Sequence, residues 1–203
     1  VAFQTRYKIL MTKKIVFDAE TFSGVLNPVD QAESLPPWCY TARSVYAREQ
    51  ERIFRGGWVS VGREDRWQNP CDYVALEVGG TPIIVLRGED GVLRSFANSC
   101  RHRGMLLLEP GEGHCERITC PFHGWNYRLD GSLQSAPKMA DAVNFDVGNY
   151  GLVEVQLATR AGFVFVNLDG RAGNVDDWLG DFEMLHQPWS LGTAVTGYRS
   201  EFE

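Results

Sequence analysis

Over residues 58–97 the chain reads as a period of two, with candidate strands at 58–62, 73–78, 83–87 and 93–97. That spacing puts every second side chain on one face of a pleated strand. Gly79-Gly80 and Glu89-Asp90-Gly91 stand between successive runs, where hairpin turns need residues that accept positive φ. The pattern predicts a central antiparallel β region. It continues less regularly: 117–120 leads into 125–128, Asp130-Gly131 turns the chain toward Ser132 and Leu133, and further strands are predicted at 152–157 and 162–168. Helical spacing occurs twice. Val45, Tyr46, Glu49, Ile53 and Phe54 predict one amphipathic helix over 41–54, stopped by Gly56-Gly57, and Trp178, Leu179, Phe182 and Leu185 make 174–186 helix-like. Up to Pro36-Pro37 no period is sustained, so this stretch reads as an extended arm that drapes over other structure.

Composition narrows the function classes. The 203 residues are 44% hydrophobic with a net charge of −6, an ordinary globular balance long enough to bury a core. An acidic chain without a Lys/Arg block lacks the footprint that nucleic-acid binding needs. The longest apolar stretches, 82–86 and 161–166, are far shorter than the roughly 20 residues that span a bilayer. Residues 1–14 carry Arg6, Lys8, Lys13 and Lys14 but no secretory h-region or cleavage site, so the cytoplasm is the expected compartment; Met11 is a possible start in place of Val1. Five cysteines, an odd and sparse set, argue against a disulfide framework and for metal binding.

The chemistry concentrates in Cys100-Arg101-His102-Arg103-Gly104 and Cys120-Pro121-Phe122-His123-Gly124-Trp125, with seventeen residues between His102 and Cys120. A C-x-H pair and a C-x-x-H pair match the donors of a Rieske-type [2Fe-2S] cluster, with Cys100 and Cys120 on one iron and His102 and His123 on the other. Two thiolates suit a ferric iron, and two neutral imidazoles leave the cluster less negative and easier to reduce than four thiolates do. Rieske potentials run from about −150 to +300 mV, against about −400 mV for the plant-type all-cysteine cluster. Gly104 and Gly124 fit tight loops whose N–H groups approach bridging sulfides, and Pro121 stiffens the second loop. The rival is a structural Cys2His2 zinc site. Zinc fingers pair C-x-x-C with H-x-x-x-H, whereas each short pair here is mixed.

These motifs resemble the N-terminal part of the large (alpha) subunit of Rieske non-haem iron oxygenases, the family of ring-hydroxylating and quaternary-ammonium oxygenases. The likeness extends through Gly124-Trp125-x-Tyr127-x-x-Asp130-Gly131-x-Leu133, Ala136-Pro137, Gly162-Phe163-Val164-Phe165-Val166-Asn167, and a first helix followed by Ile53-Phe54-x-x-x-Trp58. The resemblance implies a mainly β fold: a Rieske-type antiparallel β-sandwich with a cluster-binding subdomain, an N-terminal helix and the start of an α+β catalytic domain. The implied division is an arm at 1–40, a helix at 41–57, the Rieske domain at 58–170 and the beginning of a catalytic domain at 171–203. It also implies an oxidoreductase in which a ferredoxin or a flavin/NADH-dependent reductase supplies electrons to the cluster. From there they pass to a mononuclear non-haem Fe(II) in a neighbouring subunit of a homotrimer, which oxygenates or demethylates an aromatic or quaternary-ammonium substrate with O2. The alternative is a stand-alone Rieske ferredoxin. A carrier needs little beyond the strands around its cluster, so the flanking segments favour the oxygenase.

Two His and one carboxylate, the facial triad of such an iron, are not found. Glu183 and His186 stand at E-x-x-H spacing without a second His, and the chain is expected to be truncated before that site. Respiratory Rieske proteins carry a loop disulfide, but Met105 and Phe122 occupy those positions, and Trp125 replaces a hydroxyl that bonds a sulfide there. A midpoint potential near the low end of the Rieske range is expected. His114 and Cys115 lie in the spacer and read as non-ligands, Cys39 and Cys71 as structural. Arg101 and Arg103 read either as a docking charge for an acidic ferredoxin or as solvated arginines, and Trp125 and Tyr127 as packing that limits solvent access to the cluster.

Overall fold

The computed structural model describes residues 17–139, 141–198 and 200. The chain divides into two compact units, the first ending at Tyr46 and the second comprising Ala47–Glu203. In the first, a 3-10 turn at Ser23–Leu26 and helix α1 (Trp38–Thr41) break what the sequence pattern reads as an extended arm. The rings of Phe17 and Phe22 both stand edge-on to Trp38, with centroids 5.9 Å away. Residues 1–16 of that arm, and with them the Arg6, Lys8, Lys13 and Lys14 segment, lie outside the described residues.

The single helix expected over 41–54 is interrupted. Ala42 is extended (φ −85°, ψ 125°) and separates α1 from α2 (Arg43–Glu49), and the chain then widens into a π-helical stretch, Gln50–Arg55. Spacing of three and four residues is compatible with either hydrogen-bond ladder, so the pattern alone does not distinguish them.

The sheets of the second unit are antiparallel throughout. Strands β1 (Val59–Arg63), β2 (Asp72–Val78), β3 (Thr81–Arg87), β4 (Leu93–Ala97), β5 (Gly111–His114), β6 (Ile118–Thr119), β7 (Asn126–Tyr127), β8 (Leu133–Ser135), β9 (Gln156–Arg160) and β10 (Phe163–Asn167) form three sheets. Their orders are β1-β10-β9, β4-β3-β2-β5 and β6-β7-β8. The four-stranded sheet is the middle layer, and β3 shows why. Ile83, Ile84, Val85 and Leu86 are all fully buried, Ile83 and Val85 among Val61, Val74, Val164 and Val166, and Ile84 and Leu86 among Phe96, Ile118, Tyr127 and Leu133. A strand covered on both faces needs an unbroken apolar run instead of alternation. Each such side chain contributes roughly 1.5–3 kcal/mol by leaving water. The β2–β3 hairpin turns on Gly79 and Gly80, both at positive φ (55° and 71°), as the two-residue loop requires.

The strand expected at 152–157 straddles a switch between sheets. Ala97 N–H donates to Val153 O (2.8 Å) and Val155 N–H to Ser95 O (2.9 Å), so this segment begins beside β4; Glu154 bridges Phe96. From Gln156 it pairs with β10 instead, Gln156 opposite Asn167. Strand β5 was not foreseen, because its Gly-Glu-Gly-His sequence has no apolar alternation. It is an exposed edge held by pairing with β2, Tyr73 opposite Gly113. The helix-like tail is two short helices, α3 (Val175–Leu179) and α4 (Phe182–His186), separated at Gly180 by a φ of +51°. Among the described residues no helix is long and apolar enough to cross a membrane.

Candidate metal centre

Two six-residue loops of matching backbone project from the middle sheet and the β6–β7 hairpin. In the first, Cys100 N–H donates to Met105 O (2.8 Å) and Gly104 N–H to Cys100 O (2.9 Å); in the second, Cys120 N–H donates to Trp125 O (2.8 Å) and Gly124 N–H to Cys120 O (3.0 Å). Gly104 and Gly124 occupy the same place in the two loops at φ +72° and +70°, a conformation that glycine adopts without Cβ strain. The base of the first loop is pinned by Asn98, which is buried. Its Oδ1 accepts from the Leu107 and Leu108 N–H groups (3.1 and 3.0 Å), and its Nδ2 donates to Leu108 O (2.7 Å).

The four sequence-predicted donors lie on these loops. Cys100 and Cys120 are buried at the loop roots in one core cluster, while His102 and His123 are half-buried nearer the tips. The imidazoles meet: His102 Nδ1 and His123 Nδ1 are 3.1 Å apart. Two neutral ring nitrogens so close present lone pairs to one another unless a proton or a cation lies between them. Burial, then the neighbouring His102 and the cations Arg103 and Lys138, hold His123 below the ordinary imidazole pKa, in the neutral form that ligates metal. Among the described residues no three His, Cys, Asp or Glu side chains gather to hold one ion. Two thiols below and two facing imidazoles above fit a two-iron group with unlike ends.

Around this set the packing is aromatic. The His102 ring lies flat on Trp125 (centroids 4.9 Å, planes 8° apart), and Trp125 is itself held edge-on by Phe145 (5.6 Å) and Tyr150 (5.7 Å). Trp125 therefore fixes the plane of the His102 ring besides filling core. Phe122 tilts over His123 with centroids 3.8 Å apart, and it and Met105 are exposed at the tips.

Tyr127 does more than pack. Its hydroxyl accepts from Arg101 N–H (3.0 Å) and lies 3.2 Å from Cys100 Sγ, so its own proton is free to point at the sulfur. Burial, followed by the hydrogen bond with Cys100, pushes the Tyr127 pKa well up, keeping the hydroxyl protonated as a donor. A donor to a ligating sulfur stabilises the more negative, reduced state. Tyr127→Phe is expected to lower the midpoint potential by about 30–60 mV, from about 1 kcal/mol of differential hydrogen bonding, as read by a spectroscopic redox titration; an unchanged midpoint would remove this role. Neither Asn98 nor the donor role of Tyr127 was evident from sequence, the only signal being a tyrosine two residues beyond Trp125.

The motif comparison agrees with this geometry. A family model described as "Rieske [2Fe-2S] domain" matches residues 57–153, the stretch that holds both loops. Residues 57–153 are a Rieske [2Fe-2S] domain. The chain is 42% identical over 154 residues to the carnitine monooxygenase oxygenase subunit of Escherichia coli (strain K12), covering 75% of this chain and 41% of that protein. It is 31% identical over 172 residues to the glycine betaine monooxygenase oxygenase subunit of Pseudomonas aeruginosa (strain UCBPP-PA14), covering 85% and 40%. Among solved structures it resembles naphthalene 1,2-dioxygenase from Rhodococcus sp. bound to indole, with TM-score 0.74 and 32% identity over 82% of this chain and 39% of that one. The chain thus spans about two fifths of the length of the curated relatives it matches, which are oxygenase subunits and not stand-alone ferredoxins.

Other residues weighed from sequence fall outside the two loops. His114 Nδ1 pairs with Asp72 Oδ1 (3.2 Å) across β2 and β5. His186 Nδ1 is 2.7 Å from Phe182 O within its own helix. All five cysteines are free thiols.

Proposed function

We propose that Cys100 and Cys120 hold one iron and His102 and His123 the other iron of the Rieske cluster, and that this domain relays electrons inside an oxygenase. When bound, such a cluster supplies reversible one-electron transfer. The observation that carries the reading is the 3.1 Å approach of the two Nδ1 atoms between loops of matched backbone. The chain's own residues set the conditions: the thiols are kept from water, Trp125 orients His102, Tyr127 offers a proton to Cys100 Sγ, and the half-buried imidazoles are the edge nearest solvent. Visible absorption and low-temperature EPR of the purified protein test it. Mixed His/Cys iron signals are expected, with a midpoint near the low end of the Rieske range, about −150 mV. One bound zinc in a colourless, fully metallated protein would overturn the reading, and a clearly positive midpoint would overturn the placement in that range.

For the whole protein, likeness to carnitine and glycine betaine relatives supports oxidation of a quaternary-ammonium substrate by O2, and likeness to naphthalene 1,2-dioxygenase keeps aromatic substrates as the second reading. The division into an arm at 1–40, a helix at 41–57, the Rieske domain at 58–170 and the beginning of a catalytic domain at 171–203 belongs to this proposal. So do a mononuclear iron in that catalytic domain and assembly as a homotrimer. The electron donor is proposed to be an acidic ferredoxin or a flavin/NADH-dependent reductase that meets the loop tips, where Arg101, Arg103 and Lys138 are exposed beside Met105 and Phe122. Basic charge around an apolar centre steers an acidic partner. Arg101→Glu with Arg103→Glu is expected to slow reduction by the donor about tenfold or more at low ionic strength, the difference shrinking in high salt. An unchanged rate at low salt would remove the docking role.

A further inference from the structure

Cys71 and Cys115 take no part in the centre described above, yet they stand opposite one another. The β2–β5 ladder ends with Asp72 opposite His114, and one step further Cys115 N–H donates to Cys71 O at 3.0 Å. Side chains of opposed residues share a face, and successive residues alternate. Asp72 and His114 meet on one face, while Cys71 and Cys115 both pack into the core cluster on the other. Cys71 N–H donates to Arg87 O (2.8 Å) and not back to Cys115, so the two share one bond; residues opposed in an antiparallel pair have Cα atoms about 4.5–5.5 Å apart, inside the roughly 4.4–6.8 Å that a disulfide bridges. Cys71 also sits at φ +73°, a left-handed backbone that a non-glycine residue adopts at some cost.

We propose that Cys71 and Cys115 are a second redox site, a dithiol that closes reversibly to a cross-strand disulfide when it meets a small-molecule disulfide. Cys115, half-buried where Cys71 is buried, is the point of attack. Its thiolate displaces one thiolate from the incoming R–S–S–R and forms a mixed disulfide. The Cys71 thiolate then attacks Cys115 Sγ and expels the second thiolate. The protein loses two electrons and two protons, and the reagent leaves as two thiols. Burial raises the pKa of both groups, that of Cys115 to about 11 and that of Cys71 with help from Glu89, Glu116 and Asp72. At neutral pH both are therefore mostly protonated, and closure is slow and base-accelerated. The link would tether the segment that runs, five residues later, into Cys120.

The test is incubation of the cluster-loaded protein with oxidised glutathione under anaerobic conditions, followed by alkylation, digestion without reductant and mass spectrometry. A peptide pair joined through Cys71 and Cys115 and lighter by two hydrogens is expected, formed roughly a hundredfold faster at pH 9 than at pH 7. The thermal midpoint should rise by several degrees. In Cys71→Ser, Cys115 should stop at the glutathione mixed disulfide. Free, alkylated thiols at both positions, or separate glutathione adducts on each, would overturn the proposal. The visible spectrum is expected to be unchanged, which keeps the outcome independent of the cluster reading.

Discussion

Replacing His123 with alanine is expected to leave a folded protein that binds less than about a tenth of the normal iron and gives no Rieske EPR signal. The imidazole is half-buried at a loop tip, and the loop is closed by backbone bonds on either side of it, Cys120 N–H to Trp125 O and Gly124 N–H to Cys120 O. Removing the ring takes away one donor and no core packing, so far-UV circular dichroism and the melting profile of the metal-free protein should hardly move. Phe122→Ala is the matched control: it removes a larger ring from the adjacent, exposed position and should keep the cluster. Retention of a full Rieske spectrum in His123→Ala would exclude His123 as a ligand. Serine at Cys120 is a blunter experiment, because that thiol is also buried in the core with Trp125 and Ile118, and loss of metal there would be mixed with loss of packing.

The two loops that carry the proposed donors were legible in the sequence because ligation constrains residue type and short spacing together: C-x-H and C-x-x-H survive as strings. So was the hairpin of β2 and β3, since Gly79-Gly80 interrupts two apolar runs in a way few other structures explain. What was not legible depends on neighbours distant in sequence. Strand β5 exists because β2 offers it an edge, and its glycines carry no propensity of their own; a Cβ on Gly113 would meet the Tyr73 hydroxyl at 2.6 Å, so the cross-strand ring takes the space a side chain would fill. The contact of Tyr127 with Cys100 crosses 27 residues and depends on the two loops lying side by side. The switch of 152–160 from β4 to β10 depends on the twist of two sheets, and no run of residues encodes that by itself.

The loops also show how unlike sequences reach one backbone. Both close the same six-residue ring with glycine at the fifth position, yet the histidine stands third in one and fourth in the other. Identical offsets on matched loops would present the two rings equivalently. The one-residue stagger instead lets His102 lie flat on Trp125 while its Nδ1 turns toward His123, whose ring is inclined by 68°. Trp125 thus serves three purposes: it closes the second loop through its carbonyl, fixes the His102 ring of the first, and anchors Phe145 and Tyr150.

Gly131→Ala is expected to destabilise the domain by about 3 kcal/mol or more, the largest stability loss among single methyl additions on the β6–β8 side. Two costs coincide there. Gly131 has φ +85°, where an L side chain loses about 1–2 kcal/mol. A Cβ at that place would also collide with the ring of Phe96, which is buried and bridged by Glu154, so it has little room to move; overpacking of this kind adds about 1–3 kcal/mol. The backbone cannot yield easily either, because Gly131 N–H donates to Arg128 O (3.0 Å) and Gly131 O accepts from Leu152 N–H (2.8 Å). Gly91 separates the two costs: it has φ +77° but nothing within 4 Å of the added carbon, so Gly91→Ala should lose only the backbone share, about 1–2 kcal/mol. Urea unfolding of both variants measures the difference. If Gly131→Ala lost no more than Gly91→Ala, Phe96 would not be the obstacle. If the excess is real, Phe96→Leu should recover part of it in the double variant, because the smaller side chain vacates the space that the methyl group needs.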